Sequence, residues 1–150
     1  MTATIGTVSL GDVPAVAAVH AQCFDDAWDT MMIRRILAMA GAMGLVAKDG
    51  DGRVAGFALS RHAADECELL SLAVAAEARG AGLGGRLLDD AIALAAESGA
   101  RIMFLEVAET NDVALRLYRS RGFAPVGRRP NYYELKGGGF LAALTMSRAL

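Results

Sequence analysis

Residues 69–74 read Leu69-Leu70-Ser71-Leu72-Ala73-Val74, and after four further residues the chain continues Arg79-Gly80-Ala81-Gly82-Leu83-Gly84-Gly85. The apolar run is typical of a buried strand, and the glycine-rich run is typical of a turn that opens a helix. Glycine has no Cβ, so such a turn can bend tightly and approach a ligand closely. The free amides of a helix N-terminus favour an anionic group, typically phosphate. The stretch therefore predicts a strand, a phosphate-binding turn and a helix.

The same glycines also satisfy the dinucleotide-binding pattern G-x-G-x-x-G, with Glu106 downstream as a possible ribose ligand. In that fold the first glycine lies almost at the end of the strand. Here residues 75–79 separate Val74 from Gly80, and the chain has no repeated βαβ units and no room for a separate substrate domain. These differences argue against a nicotinamide cofactor.

Length and composition predict one domain over residues 1–150. A net charge of −2 gives no general attraction to nucleic acid, so we expect no direct nucleic-acid binding. We expect no membrane association and a cytoplasmic setting, because the chain has no targeting segment and no long apolar run. Cys23 and Cys67 are expected to be reduced thiols. His20 is expected to be a wall residue, and it and His62 lack metal-ligand spacing, so no metal site is predicted.

Hydrophobic periodicity and turn residues predict an α+β fold, with about four helices flanking a mixed, mostly antiparallel central sheet. Helices are predicted to begin at Asp12, Asp29, the glycine turn and Asn111, and the last two to end at Gly99 and Gly122. Strands are predicted at residues 5–10, 45–48, 54–60, 67–74, 101–107, 123–127 and 140–146, with a hairpin turn at 49–52 and a loop at 128–133.

Several segments resemble the GNAT superfamily of N-acetyltransferases. The run from Arg79 to Gly84 is similar to its acyl-coenzyme A signature, Arg/Gln-x-x-Gly-x-Gly/Ala. The run from Leu105 to Phe123 resembles the pattern L-E-V-x-x-x-N-x-x-A-x-x-L-Y-x-x-x-G-F of the RimI-type branch, which acetylates the α-amine of a ribosomal protein. Residues 129–133 resemble that branch's R-x-N-Y-Y, and residues 20–28 resemble its N-terminal region. The resemblance covers roughly residues 13–135.

This resemblance implies that acetyl-CoA is the acetyl donor. The backbone of Leu72, Ala73 and Val74 would hold the acetyl and pantetheine portions. The pyrophosphate would lie on amides of the turn, which comprises Arg79, Gly80, Ala81, Gly82, Leu83, Gly84 and Gly85. Asn111 matches a position that contacts CoA, and it can equally be a simple helix cap. The side chain of Arg79 can pair with phosphate or be solvated.

The resemblance also implies direct attack of a neutral amine on the thioester, with Glu106 as general base and Tyr118 as general acid. The competing interpretations are a surface carboxylate at a strand end and a core tyrosine. An α-amine has a pKa near 8, so about a tenth of it is neutral at pH 7, whereas well under a thousandth of a lysine side chain is neutral. A carboxylate can therefore act as the base without an extreme pKa shift.

The acceptor groove implied by the resemblance is lined by Phe24, Trp28, Arg129, Asn131, Tyr132 and Tyr133. The expected acceptor is a peptide or protein N-terminus, above all that of an alanine-starting ribosomal protein. Two alternatives stay open: an acetyltransferase for a small amine or a protein lysine, and a non-catalytic module that binds acetyl-CoA. The enzyme is expected to be a monomer or a homodimer.

Overall fold

The computed structural model describes residues 3–150. Within them the chain forms seven strands and four α-helices. In chain order these are β1 (Thr4–Thr7), α1 (Val13–Cys23), α2 (Thr30–Ala38), β2 (Ala42–Lys48), β3 (Val54–Ala63), β4 (Glu66–Val74), α3 (Leu83–Glu97), β5 (Ile102–Ala108), α4 (Asp112–Ser120), β6 (Ala124–Glu134) and β7 (Phe140–Ala149).

All seven strands join one sheet in the order β1-β2-β3-β4-β5-β7-β6. Neighbouring strands are antiparallel except β4 and β5, which run parallel because α3 carries the chain back across the sheet. The predicted α+β fold, a mixed and mostly antiparallel sheet flanked by four helices, is confirmed.

The helices cover both faces of the sheet and create two cores. α1 and α2 lie over one face, here called the α1–α2 face, where Val16 and Ile33 are fully buried. α3 and α4 lie over the other, the α3–α4 face, where Leu87 and Leu88 are fully buried. Burying one such side chain contributes about 1.5–3 kcal/mol, so each pair of helices is fixed on its face largely by these contacts.

The parallel pair β4–β5 is short and then separates. Its register extends only from Glu66 opposite Ile102 to Leu69 opposite Leu105, although both strands continue beyond this point. The edge of β4 that faces β5 therefore lacks a strand partner after Leu69. A cleft opens in the middle of the sheet where the two strands diverge.

A β-bulge lies in β4 at this same point. The pairing with β3 changes between Ser60, opposite Leu69, and Leu59, opposite Ser71, so that Leu70 is the extra residue. As a result, Leu69 and Leu72 both pack into the α3–α4 core although they are three positions apart. The bulge reverses the alternation of side chains and fixes which way the last residues of β4 face.

Most predicted helix ends are confirmed. The Asp29 carboxylate accepts the Met32 amide at 2.8 Å at the start of α2, and the Asn111 side chain accepts the Ala114 amide at 3.2 Å at the start of α4. Gly99 and Gly122, with φ of +96° and +86°, follow α3 and α4. Only glycine adopts this left-handed conformation without strain, so these positions end the helices.

Two predictions at the N-terminal end are wrong. β1 ends at Thr7 and residues 10–12 form a 3₁₀ turn, so the predicted strand to residue 10 is too long. Asp12 does not cap α1 with its side chain. It instead accepts the amide and the hydroxyl of Ser9 at 2.8 Å and 2.9 Å and pairs with Lys48 at 2.9 Å. These local bonds favour a turn over an extended strand.

The connection between β3 and β4 and the C-terminal hairpin also differ from prediction. Residues 61–63 extend β3 into a two-residue turn, because Ala63 still pairs with Glu66. Residues 128–133 belong to β6 and do not form a loop, and β7 continues to Ala149. The tight turn and the pairing with β7 override the polar composition that indicated loops.

Candidate active site

The cleft between β4 and β5 exposes backbone that can bind an extended ligand. Beyond Leu69, the β4 backbone through Leu72, Ala73 and Val74 has no strand on its β5 side. Unpaired backbone amides and carbonyls need partners, and an extended acyl chain with amide groups can supply them. The three residues expected to hold the acetyl and pantetheine groups thus line the cleft.

The glycine turn lies directly after this edge. Gly80 and Gly82 have φ of +86° and +76°, and a Cβ at either position would meet nothing within 4 Å, so the turn has open space on its outer side. α3 begins at Leu83, and its first intrahelical bond comes from the Arg86 amide to the Gly82 carbonyl. In the described part of the chain, no backbone or side-chain acceptor outside the helix bonds the amides of residues 80–85. This cradle fits an anionic diphosphate.

The remaining glycines of the turn make close packing contacts. Gly84 packs beside Leu117, Val74 and Leu72, which joins the start of α3 to the cleft. At Gly85 the guanidinium of Arg121 fills the space that a Cβ would need, and this arginine is held by Asp89 at 3.0 Å. The sequence did not indicate Arg121, because its proximity to the turn arises only from the packing of α4 on α3.

The side chain of Arg79 is directed back toward β4. Its Nε donates to the Val74 carbonyl at 3.2 Å, and its Nη2 lies 3.3 Å from the sulfur of Cys23. The Cys23 thiol in turn donates to the same carbonyl at 3.5 Å. Arg79 therefore fixes the end of β4 against α1, and its Nη1 forms no hydrogen bond within the described residues.

Glu106 lies on β5 immediately after the last residue paired with β4. Its neighbours Leu105 and Val107 point into the α3–α4 core, so Glu106 points to the opposite, α1–α2 face. Its side chain is only 15% exposed. Oε1 lies 3.5 Å from Nη2 of Arg129, whereas Oε2 is buried without a hydrogen-bond partner. Leaving a buried carboxylate oxygen without a partner is costly, and among the described residues Oε2 has no group that donates a hydrogen bond to it.

Tyr118 lies on α4 and belongs to the α3–α4 core. Its ring is buried and meets the edge of Phe123 at 5.9 Å. Burial, with a smaller effect of Tyr133, raises the pKa of Tyr118 to about 12. Burial first, and then Tyr132 and Glu106, also raise the pKa of Tyr133 to about 12. Both phenols are therefore protonated at neutral pH.

The R-x-N-Y-Y segment forms a bulge in β6. Arg129 pairs with Ala143 and Tyr133 with Leu141, so three residues of β6 oppose a single residue of β7. Asn131 takes φ of +56° at this bulge. The Tyr132 and Tyr133 rings meet edge to face at 4.9 Å, and Arg129 lies 5.4 Å from the centre of the Tyr132 ring. The bulge brings Arg129 and Tyr133 to Glu106, as such features often do beside active sites.

The two aromatic residues of the N-terminal segment form a separate group around His20. Phe24 and Trp28 stack on the His20 ring at 4.3 Å and 4.6 Å, and the Trp28 amide donates to Nδ1 of His20 at 3.1 Å. Burial lowers the pKa of His20, with partial opposition from Asp26. His20 is therefore a neutral wall residue. This aromatic group covers the α1–α2 face beside β3 and β4, the same face to which Glu106 points.

One acidic residue of this face was missed from the sequence. Glu68 is half-buried on β4, opposite Phe104 of β5, and it lines a depression of about 200 Å³. The available signal was the same as for Glu106: a carboxylate within an otherwise apolar strand. Its proximity to Glu106 depends on the parallel pairing of β4 and β5, which no local pattern reveals.

Comparison with known proteins identifies the family to which this chain belongs. Residues 13–123 match the acetyltransferase (GNAT) family. The chain is a member of this family. It is therefore an acetyl-CoA-dependent N-acetyltransferase, and its sequence motifs are of the RimI type. Residues 3–150 contain no helix long and apolar enough to span a membrane, and no group of three metal-ligating side chains.

Individual relatives agree with this assignment. The chain is 36% identical to N-alpha-acetyltransferase RimI of Mycobacterium tuberculosis, over 89% of this chain and 86% of that protein. It is 30% identical to a putative [ribosomal protein bS18]-alanine N-acetyltransferase of Bacillus subtilis, over 90% of this chain and 89% of the relative. The crystal structure of the ribosomal-protein-S18-alanine N-acetyltransferase from Escherichia coli superposes with a TM-score of 0.90 at 26% identity, covering 98% of this chain and 93% of that one.

Proposed function

We propose that this enzyme transfers the acetyl group of acetyl-CoA to the N-terminal α-amine of a protein, and specifically to an alanine-starting ribosomal protein in the cytoplasm. Residues 1–150 act as one catalytic domain in this proposal. Support comes from the relatives of M. tuberculosis and B. subtilis, whose names specify N-alpha or ribosomal-protein-alanine acetylation. The observation that carries the proposal is the position of Glu106: a carboxylate at the divergence of β4 and β5, with one buried oxygen free to accept a proton.

Acetyl-CoA supplies an activated acetyl group as a thioester. The free edge of β4 at Leu72, Ala73 and Val74 suits the acetyl and pantetheine amides, and the turn from Gly80 to Gly85 suits the pyrophosphate. Asn111 uses its side-chain oxygen as the cap of α4, which leaves its amide nitrogen available for a contact with CoA.

In this proposal Glu106 is the general base and Tyr118 is the general acid. Oε2 of Glu106 accepts a proton from the amine as the new C–N bond forms. Tyr118 donates to the departing sulfur, and its raised pKa of about 12 keeps it protonated until then. Because an ordinary thiol has a pKa of about 8.5, full transfer from such a phenol is uphill. Tyr118 therefore acts mainly as a hydrogen-bond donor until the sulfur has left.

The acceptor chain lies between two aromatic walls in this proposal. Phe24 and Trp28 form one wall, and the β6 bulge with Arg129, Asn131, Tyr132 and Tyr133 forms the other. Trp28 packs against the core of the face to which Glu106 points, and Arg129 reaches the Glu106 carboxylate. Aromatic rings with polar edges can hold an extended peptide and bond its backbone.

A panel of acceptors tests the proposal. The purified enzyme is incubated with acetyl-CoA and peptides that begin with alanine, with other residues, or with a blocked N-terminus and an internal lysine, and with a polyamine. Mass spectrometry then locates the acetyl group. We expect acetylation of the free α-amine, with alanine preferred. Faster transfer to lysine or to the polyamine would overturn the proposed acceptor.

A further inference from the structure

The proposed reaction removes two protons from the acceptor nitrogen. An α-amine with a pKa near 8 is about nine-tenths ammonium at pH 7 and carries three hydrogens, whereas the amide product carries one. One of the two protons replaces the acyl group on the thiol sulfur. The other is released to solvent. Glu106 provides one proton acceptor, and the same face of the sheet carries a second carboxylate, Glu68.

Glu68 is placed for this task. It lies opposite Phe104 in the parallel pair, and Glu106 follows Phe104 by two residues on the same face. Strand geometry puts the Cα atoms of Glu68 and Glu106 about 8 Å apart, within reach of a shared ammonium group for two long side chains. Glu68 also lines the depression of about 200 Å³ beside Arg61, Glu66 and Phe104. This depression opens a path to solvent.

The charged groups around Glu68 leave its carboxylate free. Arg61, opposite it on β3, donates its Nε to the Ala40 carbonyl at 3.2 Å. Arg129 of β6 pairs with Glu106. Glu66 lies two residues away on β4, toward the outer end of the depression. Among residues 3–150, Glu68 itself forms no side-chain hydrogen bond or ion pair.

The acidity of Glu68 suits a proton acceptor. Burial, and then the charge of Glu106, raise the pKa of Glu68 above its usual range, while Arg129 and Arg61 oppose the shift. A carboxylate with a raised pKa is a stronger base than an ordinary one and still releases its proton near neutral pH. No other carboxylate within the described ranges combines this shift with a position beside Glu106.

We propose that Glu68 is a second proton acceptor of the amine site: it takes the proton that converts the bound ammonium to the amine and releases it to solvent through the depression. The nitrogen lone pair freed in this way then forms the C–N bond. Glu106 takes the second proton as that bond forms, and the electron pair of the broken C–S bond stays on the sulfur, which receives a proton from Tyr118. Glu106 then releases its proton and Tyr118 regains one from solvent, so that the net result is one proton on the thiol and one in solvent. This assignment rests on the proposed function.

The test is the pH profile of kcat/KM for the peptide, at saturating acetyl-CoA, in Glu68→Gln and in the control Glu97→Gln, which changes an exposed carboxylate at the end of α3. Without Glu68, only acceptor that is already neutral reacts. The wild type should therefore exceed Glu68→Gln by about tenfold at pH 7, by more at lower pH, and by less than about twofold above pH 9. Glu97→Gln should follow the wild type throughout, and Glu68→Asp should recover part of the loss at pH 7.

Two further measurements separate the possible failures. Circular dichroism and the acetyl-CoA KM should be unchanged in Glu68→Gln, and the deficit of Glu106→Gln should persist at high pH because its proton leaves later. A Glu68→Gln profile that matches the wild type, or a deficit that is equal at every pH, would overturn the assignment while the proposed function stands. A wild type that fails to acetylate peptide α-amines, or an unimpaired Glu106→Gln, would overturn the proposed function and this assignment together.

Discussion

Arg129 and Glu106 form an asymmetric ion pair: Nη2 of the arginine lies 3.5 Å from Oε1 of the carboxylate, and Oε2 has no hydrogen-bond partner among residues 3–150. The arginine is 61% exposed and the glutamate only 15% exposed, so the pair bridges solvent and the cleft. Oε1 is thereby oriented by Arg129, while Oε2 stays available to accept a hydrogen bond. The β6 bulge, which forms one wall of the proposed acceptor groove, thus also positions the proposed base.

The first prediction concerns this base. Glu106→Gln should lower kcat by roughly 10² to 10⁴, because the amide keeps the shape of the side chain but cannot accept the proton. Acetyl-CoA binding, measured by calorimetry, should be nearly unchanged. Glu109→Gln is the control, since Glu109 pairs with Arg128 at 2.8 Å close by without facing the cleft in this proposal. Equal turnover of the two variants would show that Glu106 is not the general base.

The second prediction concerns Tyr118. Tyr118→Phe keeps the contact with Phe123 but removes the donor, so kcat should fall by about a hundredfold. The loss should shrink with acyl donors whose thiol leaves more easily. Tyr133→Phe is the control. The pKa of Tyr133 is also about 12, but this residue lies on the β6 wall of the proposed acceptor groove, so any loss in its variant should not depend on the leaving thiol. A loss in Tyr118→Phe that does not depend on the leaving thiol would contradict the proposed acid.

The third prediction compares the two ends of α3. Gly82→Ala and Gly99→Ala each place a Cβ at positive φ, +76° and +96°, without a clash. Each should lower the free energy of unfolding by about 1–2 kcal/mol. Only Gly82→Ala should weaken acetyl-CoA binding, by about tenfold, because its methyl group enters the open side of the turn where the diphosphate is proposed to lie.

Thermal shift measures both effects of these glycine substitutions. Acetyl-CoA at about 100 times its Kd should stabilise the wild type by about 2.7 kcal/mol, and NADH should not. Gly99→Ala should respond to acetyl-CoA like the wild type. Stabilisation by NADH alone would be evidence against the acetyl-CoA cradle.

The fourth prediction concerns the acceptor walls. Trp28→Ala and Tyr132→Phe should raise the KM for the peptide more than the KM for acetyl-CoA, because they alter opposite sides of the proposed groove. Initial-rate kinetics with each substrate varied in turn would show this. Val113→Ala, an exposed apolar change on α4 beneath the other face, should alter neither value. Unchanged peptide kinetics in the folded groove variants would favour a small-amine acceptor.

The fifth prediction concerns stability and pH. The Ser9 amide, and then Lys48, lower the pKa of Asp12. A carboxyl with a lowered folded-state pKa stabilises the protein above its unfolded pKa of about 3.9, and the effect disappears as pH falls through the folded value. Asp12→Asn should therefore cost about 1–3 kcal/mol at pH 7 and progressively less below pH 4.

Urea unfolding across this pH range checks the Asp12 prediction. Lys48→Met removes only the partly exposed ion pair and should cost no more than about 1 kcal/mol. If Lys48→Met costs as much as Asp12→Asn at pH 7, the bonds from Ser9 are not the main source of the stabilisation.

Local signals in the sequence determined much of the fold. Asp29 and Asn111 cap helices because each side-chain oxygen accepts an amide three residues later, and Gly99 and Gly122 end helices because they adopt positive φ. The strand, glycine turn and helix around residues 69–85 follow from the same kind of local chemistry, as does the anomaly of a carboxylate at Glu106. These properties depend on a few neighbouring residues, so they are visible in the chain alone.

Tertiary structure decided what the sequence could not. The bulge at Leu70, the end of the β4–β5 pairing at Leu69, and the extension of β6 through residues 128–133 depend on register between distant strands. The β4–β5 pairing places Glu68 beside Glu106. The pairing of β7 with both β5 and β6 brings Arg129 to the Glu106 carboxylate. The sequence determined which groups are candidates for proton exchange and for phosphate binding, and only the packing of the sheet decided which of them meet, because strand pairing is set by non-local burial.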